Sequence, residues 1–458
     1  MRSAGQVLLI ACYELGHQPL AVAWPAAFLE RAGYHPAVLD LSVEPLDPEK
    51  IARANFIAIS VPMHTALRIG VAAAAKIRAI NPTAHVCFYG LYASLNATEL
   101  LDASADSVLA GEVEDEIVEL VRRAEAAGAG GAGAAAVAVR PVLAKLDFPV
   151  PARAALPALK KYAHVERDGR QELAAYVEAS RGCKHRCRHC PIPPIYGGRF
   201  FVVPVETVMA DVRQQVAAGA RHVTFGDPDF LNGPRHALAV ARALHAAFPA
   251  VTFDFTAKIE HLLRERAHLA ALAALGCAFI VSAAESLDDR VLGYLAKGHT
   301  RADLVAALTV TRAAGIALRP TWVAFTPWTT LEGYREWLDF LATESLVDHV
   351  DPVQYGIRLL VPPGSHLLEL PELRRHLGDK VPGGFHHRWT HPDPRVDRLA
   401  EEVAAVVAAA AERGEDAPAT FDRVRALAAA AAGVAAPPPL ALAPDRRRPP
   451  RLTEPWFC

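Results

Sequence analysis

The chain has 458 residues, 48 of them basic and 50 acidic, for a net charge of −2. That balance excludes a general nucleic-acid or membrane-surface binder, and the length leaves room for about three domains. Alanine-rich runs such as 428–432 are too short to span a bilayer. Seven cysteines without framework spacing point to a reducing, cytoplasmic interior, and residues 7–12 read as a first strand rather than a signal peptide.

Residues 1–125 alternate strand and helix. Short apolar runs at 7–12, 37–41, 56–61, 85–90 and 107–110 are separated by amphipathic segments near 20–32, 67–80 and 112–127. The alternation predicts a parallel sheet covered on both faces, with ligands beyond the carboxyl ends of its strands. A connector follows at 126–173. It starts in AEAAGAGGAGAAA, a flexible composition, and continues with a proline-rich stretch that reads as extended chain lying on the next domain.

Next comes SRGCKHRCRHCPIPPIYGGR, with Cys183, Cys187 and Cys190 at CxxxCxxC spacing. Three thiolates so close together can hold three irons of one cubane and leave the fourth iron open. The basic neighbours Arg181, Lys184, His185, Arg186, Arg188 and His189 favour thiolate over thiol. Zinc completed by His185 or His189 is an alternative, although no second pair of cysteines exists. A disulfide is a weaker one.

A second alternating block spans 174–365. Its strand candidates are 174–179, 222–225, 252–256, 278–283, 317–325 and 352–360, with helices in the gaps. From 366 to 458 the alternation stops. Two alanine-rich helices, 397–413 and 419–432, precede a proline-rich stretch carrying Arg446–Arg448, read as a solvated tail or, more sharply, as a basic cap over an anionic substrate.

The cysteine spacing and the six strand–helix units behind it resemble the radical S-adenosylmethionine (SAM) family. That resemblance implies a partial (β/α)6 barrel, a [4Fe–4S] cluster on Cys183, Cys187 and Cys190, and SAM chelated at the open iron. It further implies reductive cleavage of SAM to a 5′-deoxyadenosyl radical, which abstracts hydrogen from a small-molecule or peptide substrate. The electron would come from a reductant such as flavodoxin or ferredoxin. His189 stands where the family more often has an aromatic residue.

By the same resemblance, the loop Gly226–Asp227–Pro228–Asp229 would hold the SAM amino group, unless it is simply a turn; Ser282 and Glu285 would face the ribose or amino-acid end of SAM, and Arg319 is a candidate either for its carboxylate or for a structural ion pair. Trp322, Trp328 and Tyr355 are candidate walls for adenine or substrate, and Arg358 with the following loop would close the barrel mouth.

The first block resembles the cobalamin-binding-like domain that precedes many radical SAM cores, a flavodoxin-like doubly wound sheet. Cobalamin is then a further expected cofactor, and radical methyl transfer the alternative outcome. Its first loop, Glu14–Leu15–Gly16–His17, lacks the DxHxxG pattern that supplies a cobalt ligand; His17 and His64 could serve instead, or they are solvated loop residues of a domain that keeps the fold and only packs against the core or shapes substrate access. A non-catalytic zinc or iron–sulfur binding protein is a second alternative. Methylthio transfer is disfavoured, because no second cysteine triplet is present.

The ending LTEPWFC resembles the tail of a radical SAM group defined by Cys-Cys-Ala-Glu-Pro or Cys-Sec-Ala-Glu-Pro. It implies that Cys458 is a catalytic or redox thiol and that the natural product continues with selenocysteine.

Overall fold

A computed structural model of the chain describes residues 1–127 and 140–453. The expectations placed on most of the glycine-rich stretch and on Cys458 lie outside the described residues.

The first sheet contains β1 (Val7–Ala11), β2 (Ala37–Asp40), β3 (Phe56–Ser60), β4 (His85–Tyr89) and β5 (Ser107–Leu109), all parallel in the order 2-1-3-4-5. β1 and β3 are buried from end to end. Helices cover both faces, which is why these strands are unbroken apolar runs. Leu20–Arg31 and Glu114–Ala127 pack on one face, with Trp24, Phe28 and Ile117 in the core, and His64–Ile80 packs on the other.

The connector is more ordered than its composition suggests. It pairs β6 (His164–Arg167) with β7 (Arg170–Val177) as an antiparallel hairpin. β8 (Ser180–Gly182) and β9 (Phe200–Val202) then form a ribbon whose connection carries the three cysteines. β10 (His222–Phe225), β11 (Thr252–Thr256), β12 (Cys277–Glu285) and β13 (Ala317–Trp322) continue from β7 in parallel as a curled half-barrel sheet.

The expected sixth strand does not form. Residues Pro352–Gly356 make a 3₁₀ turn, and only the bridge Phe325–Arg358 extends the sheet. Prolines at 352, 362 and 363 remove the N–H groups a ladder needs.

Beyond 366 the structure holds a hairpin that periodicity did not reveal, β14 (Leu377–Lys380) with β15 (His387–Trp389). Helices Pro394–Glu412 and Ala417–Ala432 follow. The arginine-rich stretch is partly packed rather than a free tail, although Arg447 and Arg448 are exposed. Arg446 pairs with Asp348 and Asp416, and Arg451 with Glu166. That last contact sits on β16 (Arg451–Leu452), which pairs with β6 and covers the edge of the second sheet. No helix among the described residues is long and apolar enough to cross a membrane.

Candidate functional site

The cysteine loop is held from beneath by Asp227. Its carboxylate accepts from Ser180 Oγ and from the Ala179 amide, the latter at 3.0 Å, just before the ribbon begins. Gly182 has φ +73°, and a Cβ there would lie 2.4 Å from the Arg199 carbonyl oxygen, so the ribbon closes only on glycine. Asn232 Oδ1 accepts from the Lys184 amide at 3.2 Å, and the Leu295 carbonyl from the Arg188 amide at 2.9 Å.

All three thiols line one cavity of about 360 Å³ at the carboxyl ends of the half-barrel strands. Burial raises the Cys183 thiol and pushes that of Cys190 up to about 12. The expected basic neighbours do not offset this. Arg181 is spent on Glu112, Glu114 and Glu178, while Lys184, Arg186 and Arg188 donate to backbone carbonyls. The cationic side chain that acts on Cys190 is instead Lys297.

Three thiols lining one cavity fit a metal cluster, whose irons supply the positive charge that keeps thiolates ionised. Zinc fits less well. His185 Nε2 faces His261 Nε2 at 3.1 Å, and His189 Nε2 meets Glu285 Oε1 at 3.1 Å, so both imidazoles are engaged elsewhere. Among the described residues all cysteines are free thiols, which removes the disulfide.

Of the expected SAM-facing pair, Glu285 lines the cavity. The register of β12 against β13 shifts between Ala283 and Glu285, and Glu285 takes φ +66°, a costly conformation for a residue with a side chain. The bulge turns its carboxylate into the cavity, within 3.1 Å of Lys297 Nζ. Burial opposes ionisation, yet Lys297 and His189 hold Glu285 well below the usual carboxylate range.

The other expected site residues are placed differently. At Gly226 an added Cβ would lie 2.2 Å from the Tyr176 ring, so its small size serves packing within the sheet. Asp229 accepts from the Leu231 amide and faces His261 Nδ1 at 2.8 Å. Burial opposes its charge, but His185 and His261 hold its pKa down. Neither Asp227 nor Asp229 lines the cavity; Pro228 between them does. Ser282 is fully buried and lies outside the cavity wall, with no partner for its hydroxyl among the described residues.

Arg319 is bonded to both oxygens of Asp351 at 3.1 Å, which explains an arginine inside an apolar strand and keeps it out of the cavity. Tyr355 is core, Trp322 is buried beside Trp337, and Arg358 does line the cavity while lying over Trp389.

Tyr92 and Lys297 also line the cavity; the sequence alone leaves Lys297 ambiguous and assigns Tyr92 no role. Tyr92 comes from the first domain, on the short helix Leu91–Leu95 that follows β4, and reaches the cavity beside Cys190. Burial first, and then Cys190, push its phenol far above the usual range, so it stays neutral.

Comparisons with known proteins agree with this architecture. Residues 177–327 match the radical SAM superfamily and residues 6–121 match the B12 binding domain. The chain thus carries a radical SAM domain with a B12-binding-type domain ahead of it. A radical SAM domain works with a [4Fe–4S] cluster and SAM.

Among curated proteins, the chain is similar to ribosomal protein uS12 methylthiotransferase RimO from Porphyromonas gingivalis. Identity is 28% over 207 residues, 40% of this chain and 45% of that protein. RimO from Desulfotalea psychrophila is 30% identical over 194 residues, 40% of this chain and 43% of that protein. The chain thus spans less than half the length of the curated relatives it matches.

Among solved structures, the cobalamin-dependent SAM radical enzyme OxsB with aqua-cobalamin and SAM bound aligns with a TM-score of 0.66 at 15% identity, over 87% of this chain and 66% of that one. The radical SAM methyltransferase TsrM from Kitasatospora setae aligns with a TM-score of 0.56 at 19% identity, over 74% and 71%. At such identities the likeness establishes the fold.

Proposed function

We propose that this enzyme cleaves SAM reductively and takes a hydrogen atom from a small-molecule or peptide substrate held under Tyr92. The observation that carries this reading is the shared cavity of Cys183, Cys187, Cys190, Glu285, Lys297 and Tyr92. Cys183, Cys187 and Cys190 would hold the cluster, and the cluster with SAM supplies the 5′-deoxyadenosyl radical. The remaining work falls to the chain. Glu285 and Lys297 present opposite fixed charges suited to the amino-acid end of SAM. Val323, Ile357, Leu359 and Leu360 keep water from the reacting carbon. An external reductant delivers the electron.

The comparisons favour a second reading, cobalamin-dependent radical methyl transfer. It is supported by the B12-binding match and by two structural relatives described as a cobalamin-dependent radical enzyme and a radical methyltransferase. Methylthio transfer, the activity of the curated relatives, has less support: Cys12, Cys87 and Cys277 are buried singly and form no second triplet.

One anaerobic assay tests both readings. The reconstituted, reduced protein is given SAM, and 5′-deoxyadenosine and S-adenosylhomocysteine are quantified beside a Cys183→Ala control. Deoxyadenosine alone, lost in the control, is the expected result. Both products together, dependent on added cobalamin, would move the assignment to methyl transfer. Neither product from a cluster-loaded protein would overturn both.

A further inference from the structure

In a doubly wound sheet of order 2-1-3-4-5, a ligand sits outside the carboxyl ends of the strands, at the switch point between β1 and β3. That crevice lies between the loops around 12–18 and 61–65, and here the rest of the chain fills it from two sides.

On one side stands the hairpin β14–β15. Its tip carries Phe385, 4% exposed, in the same apolar cluster as Cys12, Tyr13 and Val61, with Leu15, Met63 and Tyr92 packed against it. Phe385 is held at φ +57°, an unfavourable conformation that persists only where packing over-determines it. His64 Nε2 lies 2.8 Å from the Gly384 carbonyl oxygen, and the His64 ring meets both His386 and Tyr92 edge to face. An ion pair from Lys380 to Glu99 fixes the base of the hairpin.

On the other side the second sheet presses in. The His17 ring stacks on Tyr176 at 4.4 Å, Ala163 donates to the Gly16 carbonyl at 2.8 Å, and Gln18 Oε1 accepts from the buried Arg153. Arg181 joins Glu112 and Glu114, between β5 and the helix Glu114–Ala127 of the first domain, to Glu178 just after β7, beneath Trp24 and Phe148. Both candidate cobalt ligands, His17 and His64, are engaged in this packing. Gly90 does not open the crevice either, since a Cβ there would already lie 3.1 Å from the Val61 backbone. A drug-sized ligand needs a cleft of about 300–1,000 Å³. The 360 Å³ cavity nearby is already assigned to cluster and SAM, and a corrinoid is larger than either.

The residues present therefore do not fit cobalamin, and we infer that this B12-binding-type domain holds no corrinoid: the hairpin and Phe385 take that place, and the domain serves as the wall that sets Tyr92 over the cluster. The inference deepens the hydrogen-abstraction reading and rests on it.

The test uses the full chain, anaerobically reconstituted, incubated with hydroxocobalamin and desalted. Iron, cobalt, the corrinoid absorbance and 5′-deoxyadenosine are read on the same sample. The expected result is about four irons per chain, background cobalt, and deoxyadenosine unaffected by cobalamin. Cobalt stoichiometric with the chain, with a corrinoid spectrum, overturns the inference. Iron without deoxyadenosine and without cobalt leaves it standing and overturns the radical reading instead. Phe385→Ala runs in parallel. Cobalt uptake by this variant alone supports the assignment of Phe385 as the occupant, while uptake by the wild type to the same extent refutes it.

Discussion

Lys297 Nζ lies 3.1 Å from Glu285 Oε1, with both side chains almost fully buried beside the thiols of Cys187 and Cys190. A buried pair costs little while intact, but removing one partner strands the other charge. Glu285→Ala is expected to lose about 3–5 kcal/mol, read from urea denaturation, and Glu285→Gln less. The pH dependence follows from the directions of the shifts. Glu285 is held below its unfolded value, so its contribution is complete above about pH 4.3 and declines as pH falls through the folded value. Lys297 is raised against the effect of burial, chiefly by Glu285, so its contribution is complete below about pH 10.4 and lost on further rise. A denaturation midpoint that is flat between pH 6 and pH 3 in wild type and Glu285→Gln alike would refute the pairing.

Asp227 behaves in the opposite sense. Burial pushes its carboxyl up to about 7, above an unfolded value of about 3.9, despite the bonds from Ser180 and Ala179. Its favourable contribution is complete below pH 3.9 and is lost as pH rises through 7. Glu14, raised to about 8 by burial and then by Asp40, adds in the same direction. Asp227→Asn, neutral at every pH, should therefore be closer to wild type in stability at pH 8 than at pH 5. Chemical denaturation at the two pH values checks this, and a larger loss at pH 8 contradicts it.

Arg181 ties three carboxylates, two from the first domain and one just after β7, and burial pushes Glu112 up to about 7 even with the guanidinium beside it. Arg181→Met should destabilise the chain by about 3–5 kcal/mol. Because Arg181 precedes the cysteine loop, iron retained after reconstitution should fall as well. Full iron loading together with an unchanged denaturation midpoint would count against this role.

Gly226→Ala places a methyl group against the Tyr176 ring. Overpacking of this kind costs about 1–3 kcal/mol. A Gly226→Ala/Tyr176→Ala double variant should recover part of that loss, so a double-mutant cycle reads the coupling directly. Additive effects would show that glycine serves something other than this ring.

How much was legible in the sequence depends on how far each partner lies along the chain. Both sheets follow from local alternation, and the three cysteines are four and three residues apart, so the cluster site is a local word. Glu285 was legible as a polar residue at a strand end, but its backbone bulge was not. The sequence leaves Arg319 open between a SAM carboxylate and a structural ion pair, because its partner, Asp351, lies 32 residues further on. Asp227 and Asp229 look like ligands for a cation, yet they hold the cysteine loop and a histidine pair. The roles of Tyr92 and Phe385 are not legible in the sequence, since each acts on a partner brought close only by tertiary packing.

The junction of Phe385 with the first sheet, and of β16 with β6, bears on how the protein is made. The core beneath residues 12–18 and 61–65 is completed by an aromatic side chain synthesised more than 300 residues later. Likewise, the amide and side chain of Thr453 bond the backbone of His164, 289 residues upstream. Such remote closures carry a large loop entropy and slow folding. The amino-terminal half leaves the ribosome with an unfinished apolar crown, so its solubility at that stage depends on chaperones or on delayed collapse. Damage near the carboxyl terminus would then first be felt at the opposite end of the polypeptide.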